Sequence, residues 1–132
     1  MKKLQWWMRI VGAFYLLLTA MNLWGLFLNP PFFAENLPEP FSSDQLAVRA
    51  FTDAWMVFVF ELGVLGAMLV YGSRNPAGSK LLVLTVIFAE VFRGIVADAI
   101  WITRGYEASS YLPFMVIHLI IIITGWLFVR NV

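Results

Sequence analysis

Four apolar stretches divide this chain, and each is long enough to cross a hydrocarbon core about 30 Å thick, which takes roughly 20 helical residues. They run over about residues 4–28, 47–71, 79–103 and 111–130. The breaks between them carry turn chemistry. Asn29-Pro30-Pro31 stops the first helix, because proline lacks a donor and disfavours helix in the residue before it. Gly72-Ser73-Arg74-Asn75-Pro76 separates the second and third, and Arg104-Gly105 ends the third. The reading is an all-α, polytopic membrane protein, a four-transmembrane-helix bundle forming one domain over residues 1–132.

Composition supports lipid as the solvent. Of 132 residues, 61% are hydrophobic, and nine basic and eight acidic side chains are too few to clothe a water-soluble exterior. A net charge of +1 with no basic block argues against nucleic-acid binding. Cysteine is absent, which rules out disulfides, thiolate metal sites and thiol redox chemistry. One histidine and no cysteine make a metal site a poor expectation, and the residues call for no cofactor. Any redox role would need a bound quinone or similar carrier.

Lys2 and Lys3 precede the first apolar run, but no small-x-small cleavage site follows it, so a retained helix is expected rather than a signal peptide. Lys2, Lys3, Arg9, Arg74, Lys80 and Arg130 fall on one side, whereas Arg49 and Arg104 share the other with Glu35, Glu39, Asp44 and Glu107. By the positive-inside rule both termini are cytoplasmic and the chain sits in the cytoplasmic (inner) membrane. Trp6, Trp7 and Trp126 then mark the inner interface, and Trp24, Trp55 and Trp101 the outer one. The long connection over residues 29–46 lies outside, either as a lid or as an apolar connector resting on lipid.

The informative residues are the polar ones within the spans, since an ionisable group at mid-membrane costs about 2.5–3.5 kcal/mol on insertion scales. Glu61 stands near the centre of the second span, Glu90 and Arg93 near the centre of the third, and His118 in the outer half of the fourth. Asn22, Asp53 and Asp98 stand nearer the outer interface. At 100° per residue Glu90, Arg93, Gly94, Ala97 and Trp101 share a stripe, with Asp98 at its margin. Arg49, Asp53, Val57, Phe60 and Glu61 form a stripe on the second span, and the two acid-bearing faces are expected to confront each other. Glu61, Glu90 and Asp53 are the candidate catalytic acids. Arg93, His118, Asn22, Asp98 and Trp101 are the candidate substrate contacts. One ionised and one protonated carboxyl in a dry pocket suit double-bond isomerisation, epoxide opening or cyclisation of a small lipophilic substrate.

Each group also has a purely structural reading. Glu90 and Arg93 can lock the helices together with Glu61, His118 can be a packing histidine, and Arg49–Asp53 and Asp98–Arg104 can be interfacial ion pairs. Asn22 can be interhelical glue. Gly63 with Ala67, and Ala50 with Ala54, are small-residue pairs that permit close packing within the bundle or a homodimer.

The segment Phe60-Glu61-Leu62-Gly63-Val64-Leu65-Gly66-Ala67-Met68-Leu69-Val70-Tyr71-Gly72, with Ser73-Arg74 after it and Arg9-Ile10-Val11-Gly12 in the first span, resembles DoxX-like four-helix membrane proteins. That resemblance implies a four-helix fold and ties to quinone-linked oxidoreductase complexes, cargo reception or membrane-protein assembly. Three functions follow as expectations. A membrane-embedded enzyme predicts a closed cavity holding Glu61, Glu90 and Arg93. An accessory or assembly subunit of a larger membrane complex predicts acids exposed on the outside, awaiting a partner helix. A proton-coupled transporter, as a dimer, predicts water access from both faces.

Overall fold

A computed structural model describes residues 1–29 and 31–132 of the chain. Among them the only regular structure is helical. Helix α1 spans Lys2–Leu28, a run without internal proline, and closes where the Asn29 N–H reaches back to the carbonyls of Trp24 and Gly25. Pro30, expected to help stop this helix, lies outside the described residues. A single turn, α2 (Pro31–Ala34), follows, opening on a proline whose missing donor is harmless in a first turn. Phe32 and Phe33 of this turn fold back onto Gly25, where an added Cβ would come within 3.0 Å of both rings. In the connection beyond it, hydroxyls of Ser42 and Ser43 hold the exposed Glu39 carboxyl below the usual carboxylate range.

Helix α3 spans Gln45–Gly72 and is capped by Asp44, whose carboxylate accepts from the N–H groups of Leu46 and Ala47 at 2.9 and 3.4 Å. A 3₁₀ turn at Ala77–Ser79 leads into a continuous rod made of α4 (Lys80–Ala89), a π-helical segment (Glu90–Val96) and α5 (Ala97–Thr103). The rod ends at Gly105, whose φ of 91° lies in the left-handed region that glycine enters freely. Glu107 caps α6 (Ala108–Val129), accepting from the Ser109 hydroxyl at 3.0 Å.

By length and composition α1, α3 and α6 could each cross a bilayer. The exterior agrees with that solvent: Trp24, Phe27, Leu81, Phe92, Ile120 and Ile123 are among many large apolar side chains that face outward. Inside, a narrow seam is buried. Leu4, Met8, Val11 and Tyr15 repeat at spacings of four and three along α1 and meet Leu62 and Leu69 of α3, Val83, Val86 and Ile87 of α4, and Ile121 and Val129 of α6. Helix α1 is thus the central post. Trp7 donates to the Thr124 hydroxyl of α6 at 3.1 Å, and Arg9 donates to the Ser73 hydroxyl beyond the end of α3 at 3.3 Å.

The tightest crossing is between α1 and α3. A Cβ on Gly12 would lie 2.8 Å from the Gly66 carbonyl oxygen, and one on Gly66 would lie 3.0 Å from the Gly12 oxygen. The backbones touch because neither residue has a side chain, the usual device where lipid supplies no hydrophobic drive between helices. Gly12→Ala and Gly66→Ala should each force the helices apart and destabilise the fold by about 1–3 kcal/mol. Ala67→Leu, on the exposed side of α3, should leave it within about 0.5 kcal/mol. Unfolding titrations of the detergent-solubilised protein with SDS check the ranking.

Candidate functional site

The site is centred on Glu90, the first residue of the π-helical segment, with only 1% of its surface exposed. Such i→i+5 turns distort a helix locally and recur where side chains must be re-aimed for a task. Here the segment contains Glu90, Arg93 and Gly94 and faces both α1 and α6.

Three donors converge on the Glu90 carboxylate from three elements. Tyr15 of α1 donates its hydroxyl to Oε1, Arg93 donates Nη2 to the same oxygen at 2.8 Å, and His118 Nδ1 of α6 lies 2.5 Å from Oε2. Arg93 Nη2 also donates to the Tyr15 hydroxyl oxygen at 3.1 Å, closing a ring of three side chains. Its guanidinium further sits over the Tyr15 and Phe58 rings, 5.2 and 5.4 Å from their centroids, so its charge is met by π faces as well as by a carboxylate. Arg93 keeps its proton in any protein environment, so Glu90 is its ionised partner and acts only as an acceptor. Nδ1 of His118 therefore carries a hydrogen toward Glu90, and Nε2 is the ring nitrogen that no side chain bonds.

That free nitrogen points at a second acid. His118 Nε2 lies 3.8 Å from Oδ2 of Asp98, beyond hydrogen-bonding reach. Asp98 is 5% exposed, and Oδ2 is the one buried side-chain polar atom without a partner among the described residues. The imidazole can come this close to the rod because residue 94 is glycine: a Cβ there would collide with the His118 ring. Beyond Asp98, one turn toward the C-terminal end of the rod, Trp101 packs with Trp55, Tyr106 and Tyr111 at centroid separations of 6.0, 6.0 and 5.5 Å.

The structure therefore brings together Glu90, Arg93, His118 and Asp98, with Trp101 at the edge, and leaves three candidates elsewhere. Glu61 is exposed on the outside of α3, not facing Glu90. Asp53 is exposed as well, near Arg49 at 3.9 Å. Both follow from the rotation of α3, which buries Val59, Leu62, Gly66 and Leu69. Glu61 stands 200° around the helix from Val59, and so nearly opposite it. Asn22 serves as interhelical glue: its Oδ1 accepts from Trp55 Nε1 at 2.8 Å, and its Nδ2 donates to the Leu18 carbonyl. Asp98 faces His118 and makes no ion pair with Arg104.

Tyr15 is the site residue that sequence reasoning missed. The signal was there, since a phenol in the middle of an apolar span needs a partner for its hydroxyl, and Tyr15 continues the Leu4, Met8, Val11 spacing of α1.

A family model described as BphX-like matches residues 1–132, the whole chain. The chain belongs to the BphX-like family. This corrects the resemblance to DoxX-like proteins: Gly12 and Gly66, which helped to carry it, serve a close helix crossing that many membrane bundles require, and so identify no family. Two BphX-like relatives, from Burkholderia cepacia and Paraburkholderia xenovorans (strain LB400), each described as an uncharacterized BphX-like protein, are 36% identical over 75 residues. That stretch is 56% of this chain and 52% of each relative, so the match spans about half the length of either. No solved structure matches the chain.

The network has a measurable signature in stability. Arg93→Met leaves Glu90 buried without its cation and should destabilise this BphX-like chain by about 3–5 kcal/mol. Tyr15→Phe removes one donor of three and should cost about 1–3 kcal/mol. Combining Arg93→Met with Glu90→Leu should recover part of the loss, because the stranded charge goes with its partner. SDS unfolding midpoints of the single and double variants test the ordering, and equal losses for the single and double Arg93 variants would contradict it.

Proposed function

We propose that this BphX-like chain is a four-span protein of the cytoplasmic membrane, both termini inside, that carries out acid–base chemistry on a small lipophilic molecule. The fourth span in this reading is the rod Lys80–Thr103, whose Glu90, Arg93 and Asp98 turn inward or pair and so withdraw their polarity from lipid. Orientation rests on the lysine and arginine bias of the connections.

The observation that carries the reading is the opposed pair His118 Nε2 and Asp98 Oδ2, one a free base, the other a buried carboxyl with no partner. A substrate lying against both atoms would present its carbonyl oxygen to Asp98 Oδ2 and its activated carbon to His118 Nε2 across the 3.8 Å gap between them. Glu90 is the positioning residue: it fixes the tautomer and the ring plane of His118, the role an orienting carboxylate has beside a general base. In this reading Asp98, whose Oδ2 is buried without a hydrogen-bond partner, is the proton donor.

Double-bond isomerisation next to a carbonyl balances with no co-reactant. His118 Nε2 removes a proton from the activated carbon while Asp98 donates to the carbonyl oxygen. The imidazolium then returns its proton at the far carbon, the oxygen returns its own to Asp98, and both groups are restored. In this reading a substrate enters laterally from the bilayer between Arg93 and His118, which keep 20% and 17% of their surfaces exposed, and side chains must part to admit it because Asp98 Oδ2 is fully buried. The aromatic cluster at Trp101 offers an apolar wall beside Asp98.

The test uses the purified chain in nanodiscs made up in D₂O, with lipophilic β,γ-unsaturated ketones as probes and mass spectrometry for bond shift and deuterium uptake. His118→Asn and Asp98→Asn should each slow turnover by about 10²–10⁴-fold, the usual share of general acid–base catalysis, while Asp53→Asn leaves it unchanged. Undiminished turnover in both site variants, with the fold retained, would remove acid–base chemistry at this pair.

A further inference from the structure

Glu61 poses a problem that the inner site does not solve. It lies on α3 about 16 Å from the Gly72 end at 1.5 Å per residue, roughly half the depth of a hydrocarbon core. A glutamate side chain is too short to carry its charge from there to either interface. Yet Glu61 faces outward, on a strip with Val57, Val64 and Met68, all exposed. Helix α3 packs along α1 and only lightly against α4, so this strip is uncovered over most of its length.

The chain itself offers Glu61 no cation. Arg93 is committed to Glu90 and Tyr15. The other basic residues lie at different depths: Arg49 is near the start of α3, Arg9 reaches Ser73 beyond its end, and the rest sit near helix ends or in the connections. A second copy in the same membrane orientation would have the same depths. Two-fold pairing through α3 would set Glu61 against Glu61, again with no positive charge at that level.

We infer that the Glu61 strip of α3 docks a transmembrane helix of another protein, one that carries a lysine or arginine at the bilayer midplane to pair with Glu61. The contact is independent of the acid–base reading. It engages the face of α3 turned away from the seam, and no residue of the Glu90 site takes part. Val57 and Val64, a turn to either side of Glu61, flank the ion pair with apolar contact, and the exposed Ala54 on the same strip lets the visiting helix approach closely.

The chain has no cysteine, which makes a crosslinking test clean. Val64→Cys is reconstituted in phosphatidylcholine vesicles with leucine-based single-span helices that carry one cysteine and, at the centre, lysine, leucine or glutamate. The lysine probe should crosslink about tenfold more than the leucine probe, the scale of one interhelical polar contact in lipid. Adding Glu61→Gln should abolish that excess, and Glu61→Lys should transfer the preference to the glutamate probe. A Leu81→Cys control, on the exposed outer surface of α4, should show no preference. Circular dichroism and elution profile verify that the variants fold. Equal yields from all probes, a lysine preference that survives Glu61→Gln, or Val64→Cys homodimers that excess lysine probe does not displace would overturn the inference, the last in favour of a second copy.

Discussion

A buried carboxylate held by three donors from three separate elements organises the polar interior. Glu90 receives Tyr15 from α1, Arg93 from its own rod and His118 from α6, and each donor has few alternatives in an apolar seam. Loss of any one leaves charge or hydrogen-bonding capacity stranded, so the network fixes the relative height and rotation of α1, the rod and α6 more sharply than apolar contacts can. Apolar side chains tolerate small slips of register; a carboxylate with three fixed partners does not.

Helix α1 joins this interior to α3 by quite different means. Its one face presents Gly12 to Gly66 for backbone contact, and three residues further on Tyr15 reaches Glu90. The two demands lie within one turn of α1, so spacing at the α1–α3 crossing and hydrogen bonding at Glu90 are mechanically linked. Asn22, higher on α1, adds a bond to Trp55 that sets the rotation of α3. That rotation turns Asp53 and Glu61 outward, and the division of the acids into an inner and an outer set follows from it.

Some of this was legible beforehand. Helical class follows from the long apolar runs, and the Glu90–Arg93 pair from their spacing of three. His118 was placed among the polar groups, but its approach depends on Gly94, and nothing in a glycine says which side chain will use its empty face. The rotation of α3 was not legible, because a helix that is apolar nearly all round carries little periodic signal, and the residues that fix its rotation, Gly66 and Trp55, act through partners on α1. The π-helical segment was hidden in another way: Glu90 and Arg93 mark it as unusual in composition, but nothing in their spacing says that the turn there widens.

Glu90 and Asp98 differ in how far their hydrogen-bonding capacity is met. Both are buried in the same rod, two turns apart, and both approach His118. Glu90 has its acceptor capacity filled by Tyr15, Arg93 and His118, so a substrate would have to break existing bonds to use it. Asp98 has an oxygen with nothing to bind, and a native fold retains such an atom at a cost of about 1–3 kcal/mol. Glu61, by contrast, is exposed on the outside of α3, where no side chain of the described residues pairs with it. The chain therefore carries two acids of opposite placement, Asp98 with a buried unpartnered oxygen inside the bundle and Glu61 exposed on the outside of α3.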